Sequence, residues 1–597
     1  MIPKYKELIE RVISELDDSA IASNLFLSEK NNSKQKIKPV SIDKRNKISK
    51  DYSSIIQSGY FRRLEDKTQV FALAKDNHRR TRLTHSIEVS TVGEQLGKNC
   101  SDILKKHYLT GYKGKDRETL INIINNIPFV LRNACLVHDF GNPPFGHKGE
   151  YIIGEWVKNN LSDYLIYFNG HTFTFDEKIF DNNAKKTKST KKVRNLKSLL
   201  DDENLFNDLC YFEGNAQNFR ILSSLTYTTR NGFSKSLFRA IGKYTCDIET
   251  FMKYKDFPKN EKSIETKKLG FFKSESSIAK RIFENFKYKR SFLAYLVEAS
   301  DDIAYSISDL EDGLSQNLLD IEKLRTEIVA EFNDVSDREI EMAKKIFSSK
   351  NYNGKEFLKR LRQYSYDGSF EHYLIIKTIE DRKKYFKNII SLIDAYLNEK
   401  KNNDESTLLD NSLYSLDNLK KARFYRGQEA YELERIENVI RGYLISSATE
   451  YFKYHITELI NGNYSNGSIL ENCSCAFIHS AITKCMKKYV YNSEPIRNKE
   501  IVATKIIDVI MTNLFKTILN IDLPLKYKNK SFEQFEFLLG KKHLNTYFKS
   551  LKKCPSNTLE ATLARIVYFK TRLLIDTVSA MTDSYALSVY QNMEAII

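Results

Sequence analysis

Apolar residues recur along most of this chain at the three-to-four-residue spacing of an amphipathic helix. Tyr5–Leu16 is such a segment, and so is Glu437–Ile460. The run RRTRLTHSIEVS places Leu83, Ile87 and Val89 in a helical pattern that Val92 continues, and YLVEASDDIAYSISDLEDG predicts another helix from Tyr295. Strand character is confined to short runs, Gly270–Glu275 and Tyr164–Phe175. Only nine prolines in 597 residues interrupt this pattern, and proline is the strongest helix breaker. The predicted fold is mainly α: a helical bundle elaborated with additional helices and few short strands. No internal repeat is present.

Polar stretches divide the chain. Residues 1–45 read as an N-terminal helix and a Lys/Asn/Ser-rich arm. KKTKSTKKVRNLK, from Lys185 to Lys197, reads as a solvated insertion loop around 180–200, with a nucleic-acid arm as the alternative. Asn398–Ser406 reads as a surface link. This predicts a catalytic core over 46–320. The helical region 321–597 is expected to pack on it and to contribute to a nucleotide pocket and an oligomer interface. A net charge of +17 and a pI near 9.1 suit a polyanionic substrate or nucleic acid. A Lys-, Asn- and Ile-rich composition explains the same charge without either. With no apolar run of eighteen residues and no signal-peptide pattern after Met1, the expectation is a cytoplasmic protein without a membrane partner. Eight cysteines in so long a chain make no disulfide scaffold; Cys473 and Cys475 form a CxC without a second pair at zinc spacing, so reduced core thiols are expected.

The densest chemistry lies in HDFGNPPFGHKGE, His138 to Glu150. His138 and Asp139 offer a nitrogen and an oxygen ligand to one divalent ion. Pro143 and Pro144 force a turn. His147 and Glu150, three residues apart, share a helix face. His85 upstream and Asp301 or Asp302 downstream are further candidate ligands on helical segments. Mixed imidazole and carboxylate donors suit Mn, Fe, Zn, Ni or Co, with Mg also possible. Taken singly, His85 reads better as a satisfied core histidine and Asp301 as a helix cap or surface charge; taken with the HD pair and the His147/Glu150 pair, the metal reading prevails. Asp301, Tyr305 and Asp309 fall at i, i+4 and i+8 on one helix face, about 100° from Asp302. Arg79, Arg80 and Arg82 cluster just before His85. GEQLGKN lacks Walker A spacing, so phosphates would be held by side chains and metal.

FRRLEDKTQVF (Phe61–Phe71), RTRLTHSIEV (Arg80–Val89), HDFGNPPFGHKGE, FEGNAQNFRIL (Phe212–Leu222) and EASDDIAYSISDLEDG (Glu298–Gly313) together resemble the signature blocks of deoxyguanosine triphosphate triphosphohydrolases. These are members of the HD-domain superfamily of metal-dependent phosphohydrolases. The resemblance covers about residues 40–315 and implies hydrolysis of a deoxynucleoside triphosphate, dGTP favoured, to a deoxynucleoside and inorganic triphosphate. It implies one divalent metal per site, held by His85, His138, Asp139 and Asp301. His147 would be the proton relay and Glu150 its partner. Arg82, Lys243 and Lys268 would meet the phosphates, and Gln69, Tyr305 and Asp309 the sugar. Glu213, Asn215 and Gln217 would order the site or touch the nucleotide. A homo-oligomer, hexameric in many relatives, and single-stranded nucleic acid are the implied partners. Competing readings are another HD-type phosphohydrolase, such as a nucleotidase or phosphodiesterase, and a nucleic-acid-binding sensor without turnover.

Overall fold

The structure, a computed structural model, describes residues 5–16, 46–67, 69, 80–169, 172–177, 192–226, 232–258, 263–315, 318–346, 380–398, 416–521, 536–552 and 554–594. The chain is mainly α, as its periodicity predicts. In chain order, the elements used below are α1 (Arg82–His107), α2 (Ile127–Val137), α3 (Gly146–Asn160), β1 (Tyr164–Asn169), β2 (Thr172–Glu177) and β3 (Lys192–Asn195). They continue with α4 (Leu196–Asp202), α5 (Phe206–Cys210), α6 (Gly214–Arg220), α7 (Phe292–Ser315), α8 (Ile321–Ile346), α9 (Leu416–Asn461), α10 (Ala476–Cys485), α11 (Glu494–Leu519) and α12 (Leu559–Ser579). Contacts divide the chain into two units, each built from separated stretches. Unit 1 comprises Met1–Arg11, Thr91–Pro128 and Tyr295–Glu494; unit 2 comprises Val12–Ser90, Phe129–Ala294 and Pro495–Ile597.

The core of unit 2 is one continuous apolar cluster. Ile153 and Trp156 of α3, Leu199 of α4, Phe515 of α11 and Leu574 of α12 meet in it. Phe515 is fully buried in it, edge-on to Trp156 at 5.4 Å and to Tyr164 at 4.9 Å between ring centroids. Removing such a ring costs about 3–5 kcal/mol, because its neighbours close only partly over the gap. β1 is the middle strand of a three-stranded antiparallel sheet, order β2-β1-β3. Its Tyr164, Ile166 and Phe168 are all buried, the period-2 signature of a strand with one face in the core. α12 is helical by pattern yet carries Lys570, Arg572 and Asp576 in buried positions. Each has polar partners: Lys570 donates to the Ile518 carbonyl at 2.9 Å, Arg572 donates to Asp208 Oδ2 at 2.8 Å while stacking on Phe272, and Asp576 accepts from Arg220. Buried charges persist only when paired in this way.

In unit 1, α8 packs on α10. Phe332 stacks on Phe386 at 3.8 Å and meets Phe477 edge-on at 5.6 Å. Glu331, buried beside them, accepts from Ser480 at 2.5 Å and pairs with Lys484. All eight cysteines are free and seven are buried. Gly114–Val137 has the length and mean hydropathy (1.4) of a membrane crossing, but 61% of its apolar window is buried. It is also two helices, broken after Ile124.

Two local expectations are corrected. Gly270–Glu275 is not a strand; Lys273–Glu275 is a 3₁₀ turn. The Gly270 backbone packs against the Tyr244 carbonyl, and the Lys273 N–H goes to the Asp208 carboxylate at 2.9 Å, not to a neighbouring strand. The Lys-rich segment is not wholly a loop, because Lys192–Asn195 form β3 and pair with β1 from Phe168↔Lys192 to Leu165↔Asn195. Its Lys and Arg side chains suit an outer strand, where charge keeps the edge from pairing further. The rest of that segment, most of the polar link after Asn398 and most of the N-terminal arm lie outside the described residues.

Candidate active site

The HD pair sits immediately after α2, in a turn over His138–Gly141. Pro143 and Pro144 end that turn. Phe145 and Gly146 then take left-handed φ values of 63° and 57°, and α3 begins. Gly141 is required there, since a Cβ would strike the Gly214 carbonyl. Gly214 is its counterpart: a Cβ on it would lie 2.5 Å from both Asn142 Oδ1 and Glu150 Oε1. The HD and FEGNAQ blocks therefore meet backbone to backbone, which only glycine permits.

His138 Nδ1 lies 2.6 Å from the Cys135 carbonyl, which can only accept, so Nδ1 carries the proton and Nε2 the lone pair. Asp139 is gripped from two sides: Arg82 Nη1 donates to Oδ2 at 2.6 Å and Asn142 Nδ2 to Oδ1 at 2.6 Å. Burial works against the Arg82 guanidinium, but Asp139 more than offsets it and keeps Arg82 charged. His85 is buried on the first turn of α1, with its ring 5.4 Å from that of His138. Gln69 is half-buried, and among the described residues its Oε1 has no hydrogen-bond partner.

His147 and Glu150 lie in the first turn of α3. His147 is 85% exposed, while its Nδ1 is 3.0 Å from Oε2 of the buried Glu150. That hydrogen bond raises the His147 pKa above its ordinary value, against some desolvation. Oε1 of Glu150 accepts from the Gly214 N–H at 3.0 Å, so the carboxylate is held at both oxygens. The two residues line a cavity of about 380 Å³ together with Lys158, Phe206 and Tyr211. Lys268 pairs with Glu213 at 3.1 Å. Lys243 follows a short helix and is half-buried. Arg80 pairs with Glu88 at 3.5 Å, and Arg79 lies outside the described residues.

In unit 1, Asp301, Tyr305 and Asp309 lie along α7. Tyr305 Oη is 2.5 Å from Tyr491 Oη, and Tyr491 donates to Asp309. Burial pushes the Tyr305 phenol pKa up, and Asp309 adds to the effect. The next residue, Ser306, meets His479 Nδ1 at 2.9 Å.

A Listeria innocua protein named deoxyguanosinetriphosphate triphosphohydrolase-like is 27% identical over 562 residues, 93% of this chain and 95% of its own length. A Pseudomonas aeruginosa protein of the same name is 32% identical over 286 residues, 46% of this chain and 54% of its own. The Serratia proteamaculans deoxyguanosinetriphosphate triphosphohydrolase is 25% identical over 575 residues, 94% and 96% of the two chains. The chain is similar over nearly its whole length to proteins named deoxyguanosinetriphosphate triphosphohydrolase. No protein-family model matches it.

The names of these relatives support a hydrolase, and the described residues hold one possible His/Asp metal site. Its unit 2 members fit a divalent ion. His85 and His138 offer ring nitrogens within 4.8 Å of one another; Asp139, next in chain, is not in that group. The Cys135 carbonyl sets the His138 tautomer and Arg82 with Asn142 aims the carboxylate, the outer support that metal ligands need. An ionised carboxylate has about four acceptor positions, so two donors leave room for a metal.

The FEGNAQ block orders the site. Asn218 donates to the His138 carbonyl at 3.2 Å, Gln217 to Asp576 at 3.0 Å, and Arg220 to both Asp576 oxygens at 2.8 and 2.7 Å. Sequence reasoning assigned no role to Lys67, Asn142, Asn218, Tyr491, Asp576 or Asp583. The first three lie inside quoted blocks and were there to be read. Nothing local marks the last three.

Proposed function

We propose that this chain hydrolyses a deoxynucleoside triphosphate, dGTP favoured, to a deoxynucleoside and inorganic triphosphate. The observation that carries this reading is the HD turn with its sequel. An imidazole of set tautomer and a doubly held carboxylate are followed, in one short segment, by an exposed imidazole backed by a buried carboxylate. In this reading His85, His138 and Asp139 hold one divalent ion and Asp301 completes the set. Mn, Mg, Fe, Co, Ni and Zn all suit these donors. The ion would supply Lewis-acid polarisation of an α-phosphate oxygen.

Water attacks the α-phosphorus and the 5′-oxygen leaves, so one proton is lost by water and one gained by the leaving group. His147 relays it at Nε2, while Glu150 holds Nδ1 and stabilises the charged ring. Arg82, Lys243 and Lys268 meet the phosphates. Gln69, Tyr305 and Asp309 read the sugar: a 3′-hydroxyl satisfies Gln69 Oε1, whose isolation otherwise costs about 1–3 kcal/mol, and the Tyr305 ring leaves no room for a 2′-hydroxyl. The test is to incubate the full chain with each dNTP and NTP plus Mn²⁺ or Mg²⁺ and separate the phosphates by ion chromatography. Inorganic triphosphate from dGTP, with little from GTP, is expected. Orthophosphate or pyrophosphate as the product points to another HD-type hydrolase, and no product from any nucleotide overturns the reading.

A further inference from the structure

Within the segment between the HD pair and His147, local backbone hydrogen bonds from Asn142 to Asp139 and from Gly146 to Pro143 leave two backbone groups that pair with residues far away in sequence. The Asn142 carbonyl accepts from Lys67 Nζ, which also donates to the Ser579 carbonyl at 3.0 Å. The Phe145 N–H donates to Asp583 Oδ1 at 3.0 Å. Lys67 is 3% exposed and Asp583 1%. Phe145 is the strained residue of the turn, with φ 63° and no side-chain cap. A non-glycine residue in that region costs about 1–3 kcal/mol and persists only where its surroundings hold it. Asp583 and Ser579 belong to one short C-terminal stretch. Asp576, a turn earlier, grips Gln217 and Arg220, whose neighbour Asn218 holds the His138 carbonyl.

We infer that Lys67 and Asp583 are positioning residues that pin the turn between the metal ligands and His147, so that the C-terminal stretch Asp576–Asp583 sets the geometry of the reaction. The inference rests on the function proposed above. The two pins act on different ends of the turn. Lys67 holds Asn142, whose side chain aims Asp139, so its loss reaches the metal. Asp583 holds Phe145, two residues before His147, so its loss reaches proton transfer.

The test uses the full chain. In a Mn²⁺ titration by calorimetry, Lys67→Met is expected to bind about 10- to 100-fold more weakly than wild type, the usual cost of losing outer support for a ligand. Asp583→Ala should bind Mn²⁺ as wild type does but lose about tenfold or more in kcat at unchanged KM. Asp583→Asn keeps Oδ1 as acceptor and should restore most of that loss. A purely structural role would lower thermal stability without splitting metal affinity from kcat and without rescue by Asn. Equal Mn²⁺ affinity in folded Lys67→Met and wild type overturns the inference, as does a wild-type kcat in Asp583→Ala. If Lys67→Met does not fold, the Asp583 pair decides alone. If wild type binds Mn²⁺ but turns over no nucleotide, the proposed function fails and the Lys67 titration still decides the pin.

Discussion

The HD turn in unit 2 and the Tyr305 face in unit 1 hold polar side chains rigid in opposite ways. At the turn, the backbone has left helical pairing and closes only some hydrogen bonds locally, so other carbonyls and amides take partners from elsewhere: Asn218 for His138, Lys67 for Asn142, Asp583 for Phe145. At the face, α7 satisfies its own backbone, and regular spacing alone aligns Asp301, Tyr305 and Asp309. One outside residue, Tyr491, ties the last two together. A turn is therefore precise only through many distant contacts, whereas a helix face needs few. Damage at the turn should reach the chemistry. Damage at the face should reach selectivity or local stability.

The largest expected effect is at the turn. Asp139→Ala removes a ligand and the partner of buried Arg82, so metal binding and turnover should both disappear; metal analysis of the purified variant together with a triphosphate assay checks this. His147→Ala should lower kcat by roughly 10²-fold, the size of a general acid–base contribution, with metal content unchanged. Loss of metal in that variant would make His147 a ligand.

At the face the expected effects are smaller and of another kind. Tyr305→Ala should shift the dGTP/GTP ratio of kcat/KM by roughly tenfold toward GTP, since excluding one small group is worth about 1–3 kcal/mol. An unchanged ratio would make Tyr305 packing alone and erase the contrast between the regions. Tyr491→Phe takes a donor from buried Asp309 and should cost about 1.5–3 kcal/mol of stability, read by denaturant unfolding.

The smallest effect is a pH shift. The His147 pKa is raised, chiefly by its hydrogen bond to Glu150, so the protonated ring persists above the ordinary histidine value of about 6.5. If that form protonates the leaving oxygen, the alkaline limb of the kcat–pH profile lies above that value. Glu150→Gln removes the charge and lets the limb move down; a limb that stays put assigns it to another group.

Much of this was legible in the sequence. Helices followed from periodicity, strand character at Tyr164–Phe175 from a short aromatic run, and the HD pair, the Pro-Pro turn and the His147–Glu150 spacing from one block. Partnership was not. Arg82, expected at phosphates, is held by Asp139, a neighbour brought by folding. Lys192–Asn195 looked like solvated loop because a strand at a sheet edge keeps its charges in water, and Gly270–Glu275 looked like strand although its amide goes to a carboxylate.

What the sequence determined by itself is therefore local: where the chain is helical, where it must turn, and which side chains share a face. Those follow from steric and hydrogen-bonding rules acting over a few residues. Only the tertiary structure decided which distant groups hold the turn. A buried carbonyl, amide or charge must find a partner, and at this turn the partners are Lys67, Asn218 and Asp583, whose pairing no local pattern gives.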